Sequence, residues 1–311
     1  SGVELTCPDL NRALADPADM VRPQPRSRAD LKAFLARFRG NIANFQGGVI
    51  AQSVSFPLLA AKALRNVLRR MARLGKTDRL IGNIDWWELQ QNVPAEKIRN
   101  LRGYRSVRFD QPDPSETYWF YPFHLEPEAV VLYQAHGLYT NQVKLIENIA
   151  AQLPPGHFLY VKDHPHDIGY RAAEDYKRLN AVPNIRLLPS NIPGKQVIRD
   201  ARGVITITGT AGFEAMLMGK PVVVFGRTFY SAQPGVVHLD HIRDLRAALA
   251  ELDQAAPPQD EPILDFLAAY LGSIHPGMTD FFAGQGGKTG LDPDENARNV
   301  ADGLARTLRA L

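Results

Sequence analysis

The chain carries one cysteine, Cys7, in 311 residues. A lone thiol excludes an internal disulfide and a multi-cysteine metal site, and a reducing compartment is the default for such a chain. Long apolar runs are missing too: none approaches the roughly 20 residues that a membrane-spanning helix needs. Charge of one sign is not massed anywhere. The 36 Lys and Arg against 33 Asp and Glu leave a net charge of +3, with the basic residues scattered along the chain. That balance suits an anionic small molecule or a membrane surface and is too weak to imply nucleic acid. At its start the chain has Ser1-Gly2, with neither a methionine nor a signal-peptide pattern, which reads as a piece cut from a longer protein. What is present, 45% hydrophobic and 22% charged residues, is the composition of a globular protein of roughly two domains.

The second half of the chain has a regular rhythm. From Tyr118 onward, short runs rich in Val, Ile, Phe and Tyr ("YWFYPF", "HFLYVKD", "NIRLLP", "GVITIT", "PVVVFG") alternate with amphipathic stretches ("LYTNQVKLIENIAAQL", "YRAAEDYKRLN", "GKQVIRDA", "TAGFEAMLMG"). Near-continuous apolar strands alternating with helices predict an α/β fold, a parallel sheet covered on both faces. Ligands of such sheets bind outside the carboxyl ends of the strands.

The first 115 residues are less regular. "RSRADLKAFLARF" and "PLLAAKALRNVLRRMARLG" have helical spacing, the second with a basic side of Arg65, Arg69, Arg70 and Arg73 that reads as a solvated face. "GGVIAQS", "DRLIGN" and "SVRFD" are strand candidates. The proline-rich "DQPDPSE" at 110–116 is the best hinge. The expected division is therefore 1–115, a less regular helix-rich region, and 116–311, the alternating strand-helix domain ending in helices.

Two strand ends carry the chemistry. In "TITGTAGFEAMLMGKPVVVFG" a strand ends and a helix opens at Gly209-Thr210. The unbonded backbone N–H groups of a helix start, with hydroxyls beside them, suit a phosphate, and Gly212 leaves room for close approach. The plainer alternative is that Thr208 and Thr210 merely cap the helix. Gly219-Lys220-Pro221 then stops the helix. In "YVKDHPHDIGYR", Pro165 restricts His164 to extended geometry and so fixes the direction of its ring. His164 lies beside the threonine turn if strands 158–162 and 204–208 are neighbours or next-nearest neighbours. His166 reads as a solvated loop residue, and no third ligand stands at a convincing zinc spacing.

"FYPFHLEPEA", "YVKDHP" and "ITITGTAGFEAMLMGKPVVVFG", in this order over about residues 118–230, resemble the capsule polysaccharide biosynthesis family that includes the retaining β-Kdo transferases. The resemblance implies a GT-B-like fold, two Rossmann-like domains facing a cleft, of which the helix-rich first region here is reduced or truncated. It implies a CMP-activated donor, Kdo or a related acidic sugar, and a glycan or glycolipid acceptor in surface polysaccharide assembly. By the match, His164 with Lys162 and Pro165, and Thr208, Gly209 and Thr210 with Gly212 and Glu214, form the donor-nucleotide site.

The family's motif before this domain reads approximately Pro-Leu-Gln, three residues, then Asp. Here Glu128 stands for the catalytic Asp and His124 for the Gln, with Glu126 the nearby alternative; the departure puts Kdo itself in question. A glutamate can attack an anomeric carbon, or both glutamates can sit solvated at a helix start. A monophosphate leaving group needs no divalent ion, so neither metal nor cofactor is expected, and "LDPDEN" at 291–296 reads as an acidic helix start. A cytoplasmic protein peripheral to the inner membrane or to an assembly complex is the implied setting. Two rival readings remain: another GT-B-like enzyme, such as a UDP-sugar transferase, 2-epimerase or polyol-phosphate transferase, and a non-catalytic nucleotide-sugar-binding module.

Overall fold

The computed structural model describes residues 27–40, 64, 98–124, 135, 137–164, 168–169, 171–233, 235–273 and 293–310. Within them, β1 (Thr117–Pro122), α2 (Gln142–Ala150), β2 (His157–Lys162), α3 (Ala173–Asn180), β3 (Ile185–Leu188), α4 (Gly194–Asp200), β4 (Gly203–Thr206), α5 (Thr210–Leu217), β5 (Val222–Val224) and β6 (Val236–His238) follow one another in the predicted alternation. α1 (Arg28–Gly40) precedes them; α6 (Leu245–Gln254), α7 (Asp260–Ser273) and α8 (Pro293–Ala310) follow.

The six strands form one sheet in the order β3-β2-β1-β4-β5-β6, every pair parallel. Strand order reverses between β1 and β4, which makes the crevice beyond their carboxyl ends the topological switch point of a doubly wound sheet. Strands 2 and 4 are next-nearest neighbours, with β1 between them.

Burial on both faces explains the apolar strands. Trp119 and Tyr121 on β1, with Leu159, Val161, Ile205, Ile207 and Val223, join Ile146 and Ile149 of α2, Leu179 of α3 and Leu249 of α6 in one core. The alternate residues of the same strands face the other way: the Tyr118 ring stacks on Tyr160 at 3.8 Å, and its hydroxyl donates to the Val197 carbonyl of α4 at 2.8 Å. Each large side chain so buried stabilises the fold by roughly 1.5–3 kcal/mol. Close packing also explains Gly203, paired with Trp119, where a Cβ would lie 2.4 Å from the indole and 2.6 Å from the Pro221 carbonyl.

The helix ends follow from local chemistry. Asn141 caps α2 by accepting the Lys144 N–H at 3.0 Å. α5 stops as expected: Gly219 takes φ +69°, its N–H donates to the Met216 carbonyl at 2.9 Å, and the Lys220 N–H donates to the Ala215 carbonyl at 2.9 Å, a Schellman arrangement.

Two expectations come out differently or lie outside the described residues. "SVRFD" is no strand: its one backbone bond to the sheet runs from the Asp110 N–H to the Leu187 carbonyl, 2.7 Å, and Val107 and Phe109 pack half-buried on the core. Pro112 and Pro114 lack the donors that a longer ladder beside β3 would use. "GGVIAQS", "DRLIGN" and, except for the exposed helical Leu64, the basic helix fall outside the described residues. The proline-rich turn itself is tied to the sheet, since the Asp113 N–H donates to Tyr160 Oη at 2.9 Å and Glu116 pairs with Arg186 at 2.6 Å.

The chain divides into two compact units, the sheet unit (Asn41–Arg227 with Gly235–Pro258) and a smaller one (Ser1–Gly40, Thr228–Pro234 and Gln259–Leu311). In the smaller unit α1 buries Leu31, Leu35 and Phe38 and meets α7 through ion pairs of Arg28 with Glu261 and Asp265 and of Arg39 with Asp260. The rings of Phe229, Phe266 and Tyr270 stack within 19° of one another.

Candidate functional site

At the switch point the end of β1 is joined to the turn after β4 by His124. The buried imidazole Nε2 accepts the Ile207 N–H at 3.2 Å and lies 3.0 Å from Thr206 Oγ1, which in turn accepts the Gly209 N–H at 3.1 Å. An acceptor Nε2 places the ring proton on Nδ1, and the Thr206 hydroxyl then donates to the ring. His124 thus acts here as a clasp between two strand ends. Its backbone is fixed as firmly: Gln142, buried at the first position of α2, accepts the His124 N–H at 2.8 Å and donates to the His124 carbonyl at 3.1 Å.

Neither Thr208 nor Thr210 caps α5. The N-cap is Gly209, in extended geometry, and it makes no side-chain cap bond. Thr208 is buried beside it, Thr210 is exposed in the first turn, and Gly212 is buried with its N–H on the Gly209 carbonyl at 3.0 Å. Gly209 cannot be larger: a Cβ would stand 2.8 Å from Thr206 Oγ1 and 3.1 Å from His124 Cε1. The result is a tightly held helix start, with backbone N–H groups and the Thr210 hydroxyl at its tip, an arrangement that can receive an oxyanion.

Two strands away, the end of β2 carries formal charge. Lys162 and Asp163 are both buried and, being consecutive, point to opposite faces. Asp163 Oδ1 accepts the His164 N–H at 3.0 Å, its Oδ2 accepts the Tyr176 hydroxyl, and the buried Arg171, whose guanidinium lies 3.9 Å over the Phe123 ring, faces it. Burial raises the Asp163 carboxyl above the ordinary range, opposed by the Tyr176 bond and the Arg171 charge. Burial and the Asp163 charge push the Tyr104 phenol up to about 12. On the other face, burial lowers the Lys162 ammonium, opposed by Asp163 and by Glu214 of α5. Lys195 of α4, also buried, is lowered by burial and opposed by Glu214 as well.

The structure therefore gathers His124, Thr208, Gly209, Thr210 and Gly212 at the switch point, and Lys162 and half-buried His164 at the next strand but one, about 10 Å away between strand axes. Glu126, Glu128 and Pro165 lie outside the described residues. Thr206, Gln142, Asp163 and Lys195 were not picked out from the sequence. Thr206 could have been, as the hydroxyl two residues ahead of the threonine turn; for Gln142 and Lys195, polar residues in first helical turns, no such signal exists. Among the described residues no three His, Cys, Asp or Glu side chains gather as metal ligands would.

In a doubly wound parallel sheet, the helix start at the switch point is where ligands of open α/β sheets bind. Residues 115–256, from just before β1 through α6, match the family described as capsule polysaccharide biosynthesis protein. Two curated proteins are similar: Protein FixF of Sinorhizobium fredii, 30% identical over 150 residues, and the capsule polysaccharide export protein KpsS of Escherichia coli, 30% identical over 108. The matches cover 46% and 33% of this chain but only 35% and 27% of those proteins' lengths. Among solved structures, the β Kdo 2,7 transferase of Thermosulfurimonas dismutans KpsC is similar at 16% identity and a TM-score of 0.37, over 68% of this chain and 57% of that one.

Proposed function

We propose that this protein is a retaining glycosyltransferase that moves a sugar from a CMP-activated donor, Kdo or a related acidic sugar, to a glycan or glycolipid acceptor in capsule or surface polysaccharide assembly. The observation that carries it is the tightly held start of α5 at the switch point, inside the segment that matches the capsule polysaccharide biosynthesis family. In this reading the α5 N–H groups and Thr210 receive the donor phosphate, His164 donates to the same phosphate or to the nucleoside across β1, and His124 with Gln142 holds the turn in place. Glu128, or Glu126 beside it, serves as the nucleophile. Helix-start N–H groups and the nearby cations stabilise the leaving monophosphate, so no metal or cofactor takes part.

The test is thermal. Ligand stabilisation follows concentration over dissociation constant, so with EDTA present CMP is expected to raise the melting temperature clearly more than UDP at equal concentration. A larger response to UDP, or one that requires magnesium, replaces this reading with the UDP-sugar or epimerase class. Given a working donor and acceptor, Glu128→Gln is expected to abolish most turnover with donor affinity within a few fold; near-normal turnover transfers the role to Glu126.

A further inference from the structure

A cavity of about 210 Å³ opens beside the α5 turn, at the carboxyl ends of β5 and β6. Its inner wall follows β5. The Phe225 N–H donates to the Thr206 carbonyl at 3.1 Å and the Gly226 N–H to the Ile207 carbonyl at 2.8 Å, so this wall is bonded to the turn that His124 clasps. Phe225 and Ala135 are buried and make an apolar floor, and Leu138 stands at the rim, 63% exposed. The outer wall continues β6: the Leu239 N–H donates to the Val224 carbonyl at 2.9 Å, and the Tyr139 hydroxyl donates to the Asp240 carbonyl at 3.3 Å. Backbone bonds thus fix both walls.

The polar side chains that line this cavity are Arg227, His238, Asp240 and His241. Their chemistry selects the occupant. Arg227 can only donate, the Asp240 carboxylate can only accept, and a neutral imidazole does one at each nitrogen. Burial lowers the half-buried His238 imidazole, which is therefore neutral near pH 7. The Asp240 carboxylate, 72% exposed, lies 3.9 Å from His238 Nδ1, beyond hydrogen-bond length. One fixed positive and one fixed negative charge balance, so the lining does not select an anion; it matches hydroxyl groups, each of which both donates and accepts. Size points the same way. Pockets for a whole drug-sized ligand run to about 300–1,000 Å³, so this one takes a single ring. A nucleobase, the rival ring, stacks on open aromatic faces, whereas the Phe225 ring is 3% exposed and lies 5.0 Å from that of Tyr139.

We propose that this cavity is a carbohydrate subsite, in which one sugar ring lies against Leu138 and Phe225 with its hydroxyls bonded to Arg227, His238 and Asp240. The proposal deepens the glycosyltransferase reading and rests on it for the source of the ring, either the donor's sugar or the acceptor's terminal sugar.

Saturation-transfer NMR on the full chain in EDTA tests it, with free Kdo, methyl glucoside, methyl galactoside, cytidine and CMP as probes. At least one of the sugars is expected to give a signal. Asp240→Ala and Arg227→Ala remove exposed side chains and leave the Tyr139 bond to the backbone of residue 240 in place. Each is expected to weaken that sugar at least about tenfold, the scale of a hydrogen bond to a charged group, with CMP affinity within about twofold. Excess CMP-Kdo then assigns the ring: displacement of the sugar by CMP-Kdo but not by CMP makes it the donor's, and persistence with both makes it the acceptor's. Displacement by CMP itself shows that the nucleotide fills the cavity and overturns the proposal. So does a cytidine signal that depends on Asp240 in place of a sugar signal, or a sugar signal unchanged in both variants. A CMP signal with no sugar signal overturns the cavity and leaves the α5 phosphate site intact. A sugar signal that depends on Asp240, with none from CMP, supports the cavity and overturns the CMP-donor reading.

Discussion

The ends of β2 and β4 stand on either side of β1 and face the same crevice, but they are held by opposite means. The β4 end is neutral: Thr206, Ile207 and Gly209 are bonded to one imidazole and to one another, with a glycine where any Cβ would collide. The β2 end is ionic: a buried lysine on one face and a buried aspartate on the other, each opposing its own desolvation with charges from the covering helices. A neutral, hydrogen-bonded turn fixes geometry at little electrostatic cost, which suits a place where backbone N–H groups meet an anion. A charged strand end stores electrostatic energy that a ligand can alter. The two ends therefore differ in how mutation and pH affect them.

The largest effect is expected at Asp163. Asp163→Ala leaves the Tyr176 hydroxyl and the His164 N–H without their acceptor and Arg171 and Lys162 without the nearby carboxylate. Breaking a buried charged network in this way costs about 3–5 kcal/mol, measured as a loss in urea unfolding. A loss under about 1 kcal/mol would show that the β2 end is not held by charge.

Asp163→Asn, which keeps an acceptor, sharpens the same point through pH. Burial raises the folded Asp163 carboxyl above its unfolded value of about 3.9, so the folded state keeps a proton that the unfolded chain has released. That contribution is complete below the unfolded value and is lost as pH rises through the folded one. The wild type is therefore expected to lose stability relative to Asp163→Asn as pH rises above about 4. A gap that stays constant, or one that moves the other way, refutes the direction assigned to Asp163.

At the β4 end the expected effects are steric and smaller. Gly209 has φ −70°, which any residue adopts, so Gly209→Ala strains no backbone. Its cost is the collision with Thr206 Oγ1 and His124 Cε1, about 1–3 kcal/mol for an overpacked site. Urea unfolding within 0.5 kcal/mol of the wild type would mean that the clasp is looser than its distances imply.

This contrast also marks what the sequence could say. Strands β1 to β5 and helices α2 to α5 were legible because parallel strands buried on both faces are near-continuously apolar and their covering helices keep a 3.6-residue period. β6 escaped notice as three half-buried residues, Val236–His238. The placement of Lys162, His164 and the Thr208–Gly212 turn at strand carboxyl ends was legible from the apolar runs that precede them. Asp163, Gln142 and Lys195 were not: a polar residue after a strand or in a first helical turn reads as solvated. Their burial depends on which helix covers which strand end. That is a matter of strand order, and local patterning does not encode it. His124 was singled out through its place in a family motif, yet its role as acceptor for Ile207 becomes visible only once β4 is known to lie beside β1.

The smallest effect on stability is expected at Thr210, and it separates holding the turn from using it. Were Thr210 or Thr208 the cap of α5, its loss would cost about 1 kcal/mol. Gly209, not a threonine, occupies the N-cap, and Thr210 is exposed. Thr210→Val therefore removes a hydroxyl that the folded protein does not use for capping, and the change in unfolding free energy is expected to stay within about 0.5 kcal/mol, as for other exposed sites. The same variant is expected to reduce the CMP-induced rise in melting temperature, because the hydroxyl stands at the helix start beside the N–H groups assigned to the phosphate. Loss of stability with an unchanged CMP response would return Thr210 to a structural role and leave the backbone alone to hold the anion. Unchanged stability with a weakened response keeps the division drawn here, with Gly209 and His124 building the turn and Thr210 serving the ligand.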